Sequence, residues 1–132
     1  MFTTKEYLEL IASRRRFVRT DNFNTIAKIS DDNEEWSDIA VSDVSAGGLL
    51  FRSFKSIEVR TTVWFDLLIK PILFISGSPL VIKTQGEVLD SRGSRESTYY
   101  YAAKFTTMSP DDEMALDVLI QRIYERYGGS NT

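Results

Sequence analysis

Around residue 66 the chain sets apolar side chains at every second position. Val63, Phe65, Leu67 and Ile69 alternate with Trp64, Asp66 and Lys70. A period of two is that of a strand with one buried face, whereas a helix repeats every 3.6 residues. Such a strand needs partners on both edges and a covered face. The rest of the sequence therefore has to supply further strands.

It supplies them in short pieces. Residues 26–29, 36–43, 49–51, 80–89 and 98–105 all carry strand patterning. Turn signals separate them: Asp31-Asp32-Asn33-Glu34-Glu35, Ser45-Ala46-Gly47-Gly48, Ser76-Gly77-Ser78-Pro79 and Asp90-Ser91-Arg92-Gly93-Ser94. Gly86 falls inside a strand, which marks a bulge or a close approach of two segments. Several short strands at near-regular spacing predict an antiparallel barrel or sandwich. Both ends read as helical. Thr3 and Glu6 fit a capping box ahead of Leu8 and Ile11, over residues 1–13. At the other end Ser109 suits an N-cap, Pro110 the first helical position, and Asp111 and Asp112 the positive end of the dipole. Leu116, Leu119, Ile120, Ile123 and Tyr127 form one stripe, and Gly128 suits the position just past the end. The stripe is expected to pack over one opening or edge of the barrel.

With 132 residues, this is one domain with room for a real core. The chain has no cysteine and no histidine. It therefore has no disulfide frame or thiolate site, and it lacks the commonest general base and metal ligand. Catalysis and a metal site are not expected; the acidic run 31–35 reads as a solvated turn. The longest apolar stretch is broken by Asp66, Lys70 and Pro71, so no membrane span is expected. Lys5, Glu6 and Glu9 interrupt any signal-peptide core, and a cytoplasmic location is expected.

Against this acidic background, with net charge -3, Arg14-Arg15-Arg16-Phe17-Val18-Arg19 stands out. Four guanidiniums in six residues suit phosphates and guanine edges. They also suit the end of a helix. Downstream, Asp43-Val44-Ser45-Ala46-Gly47-Gly48 sits between two strands. Alone it is an ordinary side-chain-capped turn closed by glycines.

In combination the two elements carry more. An Arg-x-x-x-Arg pair at Arg15 and Arg19 precedes a strand, and Asp-x-Ser-x-x-Gly follows at Asp43, Ser45 and Gly48. This order resembles the PilZ domain, a bacterial receptor module for cyclic di-GMP. Gly86-Glu87-Val88 and Ala102-Ala103-Lys104-Phe105 extend the resemblance, with Ala102 where the family often has Gly. The resemblance implies a six-stranded antiparallel β-barrel over residues 23–108, an Arg-rich switch loop at 14–22 and a C-terminal amphipathic helix at 109–128. It implies a non-catalytic receptor whose ligand site includes Arg14, Arg15, Arg19, Asp43, Ser45 and Gly48. With Arg14 ahead of the pair, the resemblance also implies two intercalated ligand molecules.

The chemistry of these residues is compatible. Arg forks pair with guanine O6 and N7, and an ionised Asp43 accepts from guanine N–H groups. Ser45 can donate to phosphate, and Gly48 leaves its backbone bare. The output is expected to be a rearranged Arg loop and N-terminal helix, read by an unidentified downstream protein. A nucleotide-independent adaptor of the same fold is the alternative. Single-stranded nucleic-acid binding through the Arg residues and Tyr99, Tyr100 and Tyr101 is a further one, disfavoured by the acidic charge.

Overall fold

The computed structural model describes residues 17–19, 23–71 and 79–127. Its strands are β1 (Phe17–Arg19), β2 (Phe23–Ser30), β3 (Ser37–Ser45), β4 (Gly48–Ser53), β5 (Thr62–Pro71), β6 (Leu80–Arg95) and β7 (Thr98–Phe105). One helix, α1 (Pro110–Tyr127), follows them. The expected N-terminal helix, the turn at 76–78 and Gly128 lie outside the described residues.

The alternation in β5 does what its period requires. Val63, Phe65, Leu67 and Ile69 are buried, and the residues between them face outward. β2 and β6 pair with its two edges along most of its length. The sheet order is β1-β3-β2-β5-β6-β7-β4, and β3 also pairs with β4. That last pairing closes β3, β2, β5, β6, β7 and β4 into an antiparallel barrel of six strands. Closure leaves no open sheet edge in the ring.

Residues 17–19 depart from the expected switch loop: they are strand β1, added antiparallel to β3. β2 pairs with β3 only from Ser37 to Ile39. From Asp43 onward β3 would expose unpaired backbone, and β1 takes that place. The reason is backbone hydrogen bonding, which a local charge pattern does not reveal.

Inside the ring, Phe51 meets Phe65 edge-on and Tyr101 at a tilt, each with centroids 5.6 Å apart. The Tyr101 hydroxyl accepts from the Ile57 N–H at 2.7 Å, so this buried phenol is satisfied. Gly86 is a close-approach glycine. A Cβ there would stand 2.6 Å from Phe65 Cε2 and 2.8 Å from the Lys104 carbonyl oxygen. The Ser109 hydroxyl accepts from the Asp112 N–H at 3.1 Å and caps α1. Leu116, Leu119, Ile120 and Ile123 join the barrel core, while α1 contacts β1, β3 and β6. Burying each such side chain is worth roughly 1.5–3 kcal/mol.

The turn expected at 90–94 is not a turn. β6 runs on to Arg95, and the hairpin reverses at Glu96 and Ser97, with φ of 51° and 65°. Two successive positive φ values give the tight turn whose twist matches the flanking strands. Neither residue is the usual Asn or Gly, so composition hides it. Gly93, at φ 110°, sits within an irregularity between Ser91 and Ser94. There it bends a strand instead of ending one.

Candidate ligand-binding site

The β3–β4 corner starts from one hydroxyl. Ser45 Oγ accepts from the N–H groups of Gly47 at 3.1 Å and Gly48 at 3.2 Å. Its own hydrogen is directed at the Gly48 carbonyl, 3.4 Å away. Ser45 is fully buried. The Phe105 N–H donates to the Gly47 carbonyl at 2.9 Å and fastens the corner to β7. Ser45 and Gly48 thus bond to each other in this geometry. Their first contribution is the shape of the corner.

Asp43 reaches the outer face through a register shift. Val41 faces Phe51, but Asp43 faces Leu50, so β3 carries one extra residue, Ser42. Ser42 donates from its hydroxyl to the Leu50 carbonyl at 3.3 Å. Strict alternation from Ile39 and Val41 would turn position 43 inward. The bulge instead puts Val44 into the core, 2% exposed, and leaves Asp43 half-buried on the other face. The signal is present in the sequence as a change of spacing, Ile39-x-Val41-x-x-Val44.

β1 then brings the Arg segment to this place. Its register sets Arg19 opposite Asp43, Val18 opposite Val44 and Phe17 opposite Ser45. Position 19 therefore lies on the same side of the sheet as position 43. Arg14 and Arg15 lie outside the described residues. The structure thus gathers Arg19, Asp43, Ser45 and Gly48 within a few residues of one corner.

One exposed cation on these strands belongs to no motif. Arg52 stands opposite Ala40 and Tyr100, one step along the same outer face from Leu50. It is exposed and lines a groove of about 370 Å³ with Asp38, Ala40, Phe54 and Thr98. Nothing in its local sequence marks it; the pairing of β4 with β3 sets it opposite Ala40, and none of the motif residues lines its groove. A second cleft, of about 270 Å³, lies between the β2–β3 turn and the β4–β5 connection, lined by Ser30, Asp31, Glu35, Lys55 and Glu58 among others. None of the motif residues borders it.

The acidic turn is locally satisfied. Asp32 accepts from the N–H groups of Glu34 and Glu35 at 2.8 and 2.9 Å, and from the Ser30 hydroxyl at 2.9 Å. The Glu35 and Glu34 N–H bonds, with the Ser30 hydroxyl, hold its carboxyl below the ordinary aspartate range. Among the described residues no cluster of acidic side chains is arranged to hold a metal ion. The three tyrosines do not make a shared stacking surface. Tyr101 is in the core, Tyr99 is half-buried, and Tyr100 is exposed. Among the described residues no helix is long and apolar enough to cross a membrane.

By sequence, no curated protein of known function matches this chain. By structure, several solved proteins do. The inhibitor of motility MotI/DgrA of Bacillus subtilis superposes with a TM-score of 0.68 at 19% identity, over 86% of this chain and 53% of that one. MrkH, a c-di-GMP-dependent transcription regulatory factor, gives 0.59 at 11% identity, over 83% and 49%. PlzA of Borreliella burgdorferi, solved in complex with c-di-GMP, gives 0.52 at 10% identity, over 93% and 56%. The chain spans about half the length of each. At these identities the likeness is one of fold. The sequence model of the PilZ domain matches residues 13–122, a span that takes in the Arg segment, the corner, the whole barrel and most of α1. With the six-stranded barrel closed and the family model matching over most of its length, the chain belongs to the PilZ domain family.

Proposed function

We propose that this chain is a non-catalytic receptor for cyclic di-GMP, and that the ligand lies on the outer face where β1, β3 and β4 meet. The observation that carries this reading is the β1–β3 register, which sets Arg19 opposite Asp43 beside the Ser45 corner. Two motifs far apart in sequence become neighbours there. An Arg and a carboxylate at facing register positions suit the two edges of guanine: a guanidinium fork pairs with O6 and N7, a carboxylate with the N–H donors. Family membership and the ligand in the PlzA complex support the same choice.

In this reading Arg14, Arg15 and Arg19 form the cationic wall, and Asp43 takes the guanine N–H groups. Ser45 and Gly48 hold the corner that aims them. Two intercalated ligand molecules would crowd four phosphodiester charges together, which is why a third Arg beside the pair matters. β1 contacts α1 as well as β3. A ligand that pulls on the Arg segment therefore also acts on the helix, and that movement is the output.

Isothermal titration of the whole chain with cyclic di-GMP tests the proposal. Saturable heat at micromolar ligand, with two equivalents bound, is the expected result. No heat and no retained nucleotide would overturn it.

A further inference from the structure

The barrel has a second outer face with a pattern of its own. Ile26 on β2 stands opposite Leu68 on β5, and Leu68 opposite Val81 on β6. The three form one transverse row. Ile26 is 55% exposed and Val81 53%, with Leu68 half-buried between them. The next row, two residues along, is Lys28–Asp66–Lys83 in the same register. On the other side of the apolar row stands exposed Lys70. Three cations against one anion reverse the sign of a chain whose net charge is -3. Among the described residues the ion pairs lie elsewhere, at Glu87 with Arg60 and Lys104.

We propose that this face docks an amphipathic helix of a partner protein, its apolar stripe on Ile26, Leu68 and Val81 and its carboxylates on Lys28 and Lys83. The dimensions agree. Strands are about 4.8 Å apart, so a row across three of them spans roughly 10 Å. A helix rises 1.5 Å per residue, so side chains seven apart are also separated by roughly 10 Å. A helix laid across the strands therefore meets all three positions with one stripe. The lysine row then runs along one flank of that helix, where acidic residues complement it.

Two other occupants fit less well. A second copy placed about a two-fold axis through the apolar row would set the Lys28–Asp66–Lys83 row over its partner's Lys70. Cations would face cations. An anionic membrane would meet Asp66 in the middle of the lysine row. In the ring, β5 stands opposite β4, so the docking face and the ligand corner are on opposite sides. The inference does not depend on what binds the corner.

The test uses the full chain, isotopically labelled, and a synthetic helical peptide with leucines at alternating third and fourth positions and glutamates along one flank. Amide shifts should concentrate on β2, β5 and β6. Ile26→Asp with Val81→Asp should weaken binding by roughly tenfold or more. Both residues are exposed, so the melting temperature should hold. Lys28→Glu with Lys83→Glu should also weaken binding, and a peptide carrying lysines on that flank should restore it. The proposal is overturned if the peptide leaves the wild-type shifts unmoved, moves them elsewhere, or binds no better than a scrambled peptide. It is equally overturned if the Asp variants instead abolish binding to phosphatidylglycerol vesicles or dissolve a dimer of the chain.

Discussion

The two sides of this barrel are built by different rules. On the β2–β5–β6 side the register runs unbroken, from Ser30 opposite Trp64 to Phe23 opposite Pro71, and from Ile69 opposite Leu80 to Thr62 opposite Glu87. On the β3–β4 side β3 changes neighbour from β2 to β1, carries an extra residue at Ser42, and ends in a corner held by the Ser45 hydroxyl. The regular side fills the core by alternation alone. The irregular side breaks alternation and thereby turns a carboxylate outward. Irregular backbone is where a rigid barrel can aim side chains at a ligand.

The difference can be broken experimentally, and the largest effect belongs to the regular side. Phe65→Ala should cost about 3–5 kcal/mol of stability, because it removes a fully buried ring that touches Phe51 and Phe105. Thermal or urea unfolding measures it. A loss under about 1 kcal/mol would mean that this side does not carry the core.

Ser45→Ala probes the irregular side as a structure. It deprives two N–H groups of their acceptor, each at about 1–3 kcal/mol if it stays buried. Cyclic di-GMP affinity should fall together with the melting temperature. Lost affinity at an unchanged melting temperature would instead make Ser45 a direct ligand contact.

Arg19→Ala probes the same side as a site. One bidentate guanine contact is worth about 1–3 kcal/mol, so affinity should drop roughly five- to 150-fold. The melting temperature should barely move, since β1 is held by backbone pairing to β3. Unaltered affinity would remove Arg19 from the site. Arg14→Leu should act more gently still: binding persists, and the titration midpoint moves from two equivalents toward one. A wild type that already saturates at one equivalent overturns the role given to Arg14.

The smallest effect concerns pH. The Asp32 carboxyl is held below its ordinary range by hydrogen bonds to its ionised form. A depressed carboxylate stabilises the fold above its unfolded pKa and loses that contribution as pH falls through the lowered folded value. The turn should therefore open only in strong acid, seen as shifts of the Glu34 and Glu35 amides, while the regular wall stays folded. Opening near neutral pH would contradict the hydrogen bonds.

Much of this was written in the chain. The period of two around Phe65 specified a strand buried on one face, and the repeated turn signals specified several partners for it. Ser109, Pro110 and the stripe from Leu116 to Ile123 specified α1. The spacing of Arg15, Arg19, Asp43, Ser45 and Gly48 specified a family and its candidate site. These properties depend on near neighbours along the chain, which is why they are visible there.

Other decisions needed the folded molecule. That residues 17–19 form β1 follows from the vacancy beside β3, a requirement created by a distant strand. That Gly86 must be glycine follows from Phe65 and Lys104, far from it in sequence. The Glu96–Ser97 turn has no turn-like composition; the pairing of β6 with β7 imposes its positive φ values. Arg52 stands opposite Ala40, and Ile26, Leu68 and Val81 form a row, only because strand pairing aligns them. The sequence alone determined most of the barrel strands, the C-terminal helix, their order and the motif residues. Tertiary structure decided which residues stand side by side, because register and closure are set by backbone pairing between segments that the chain itself keeps apart.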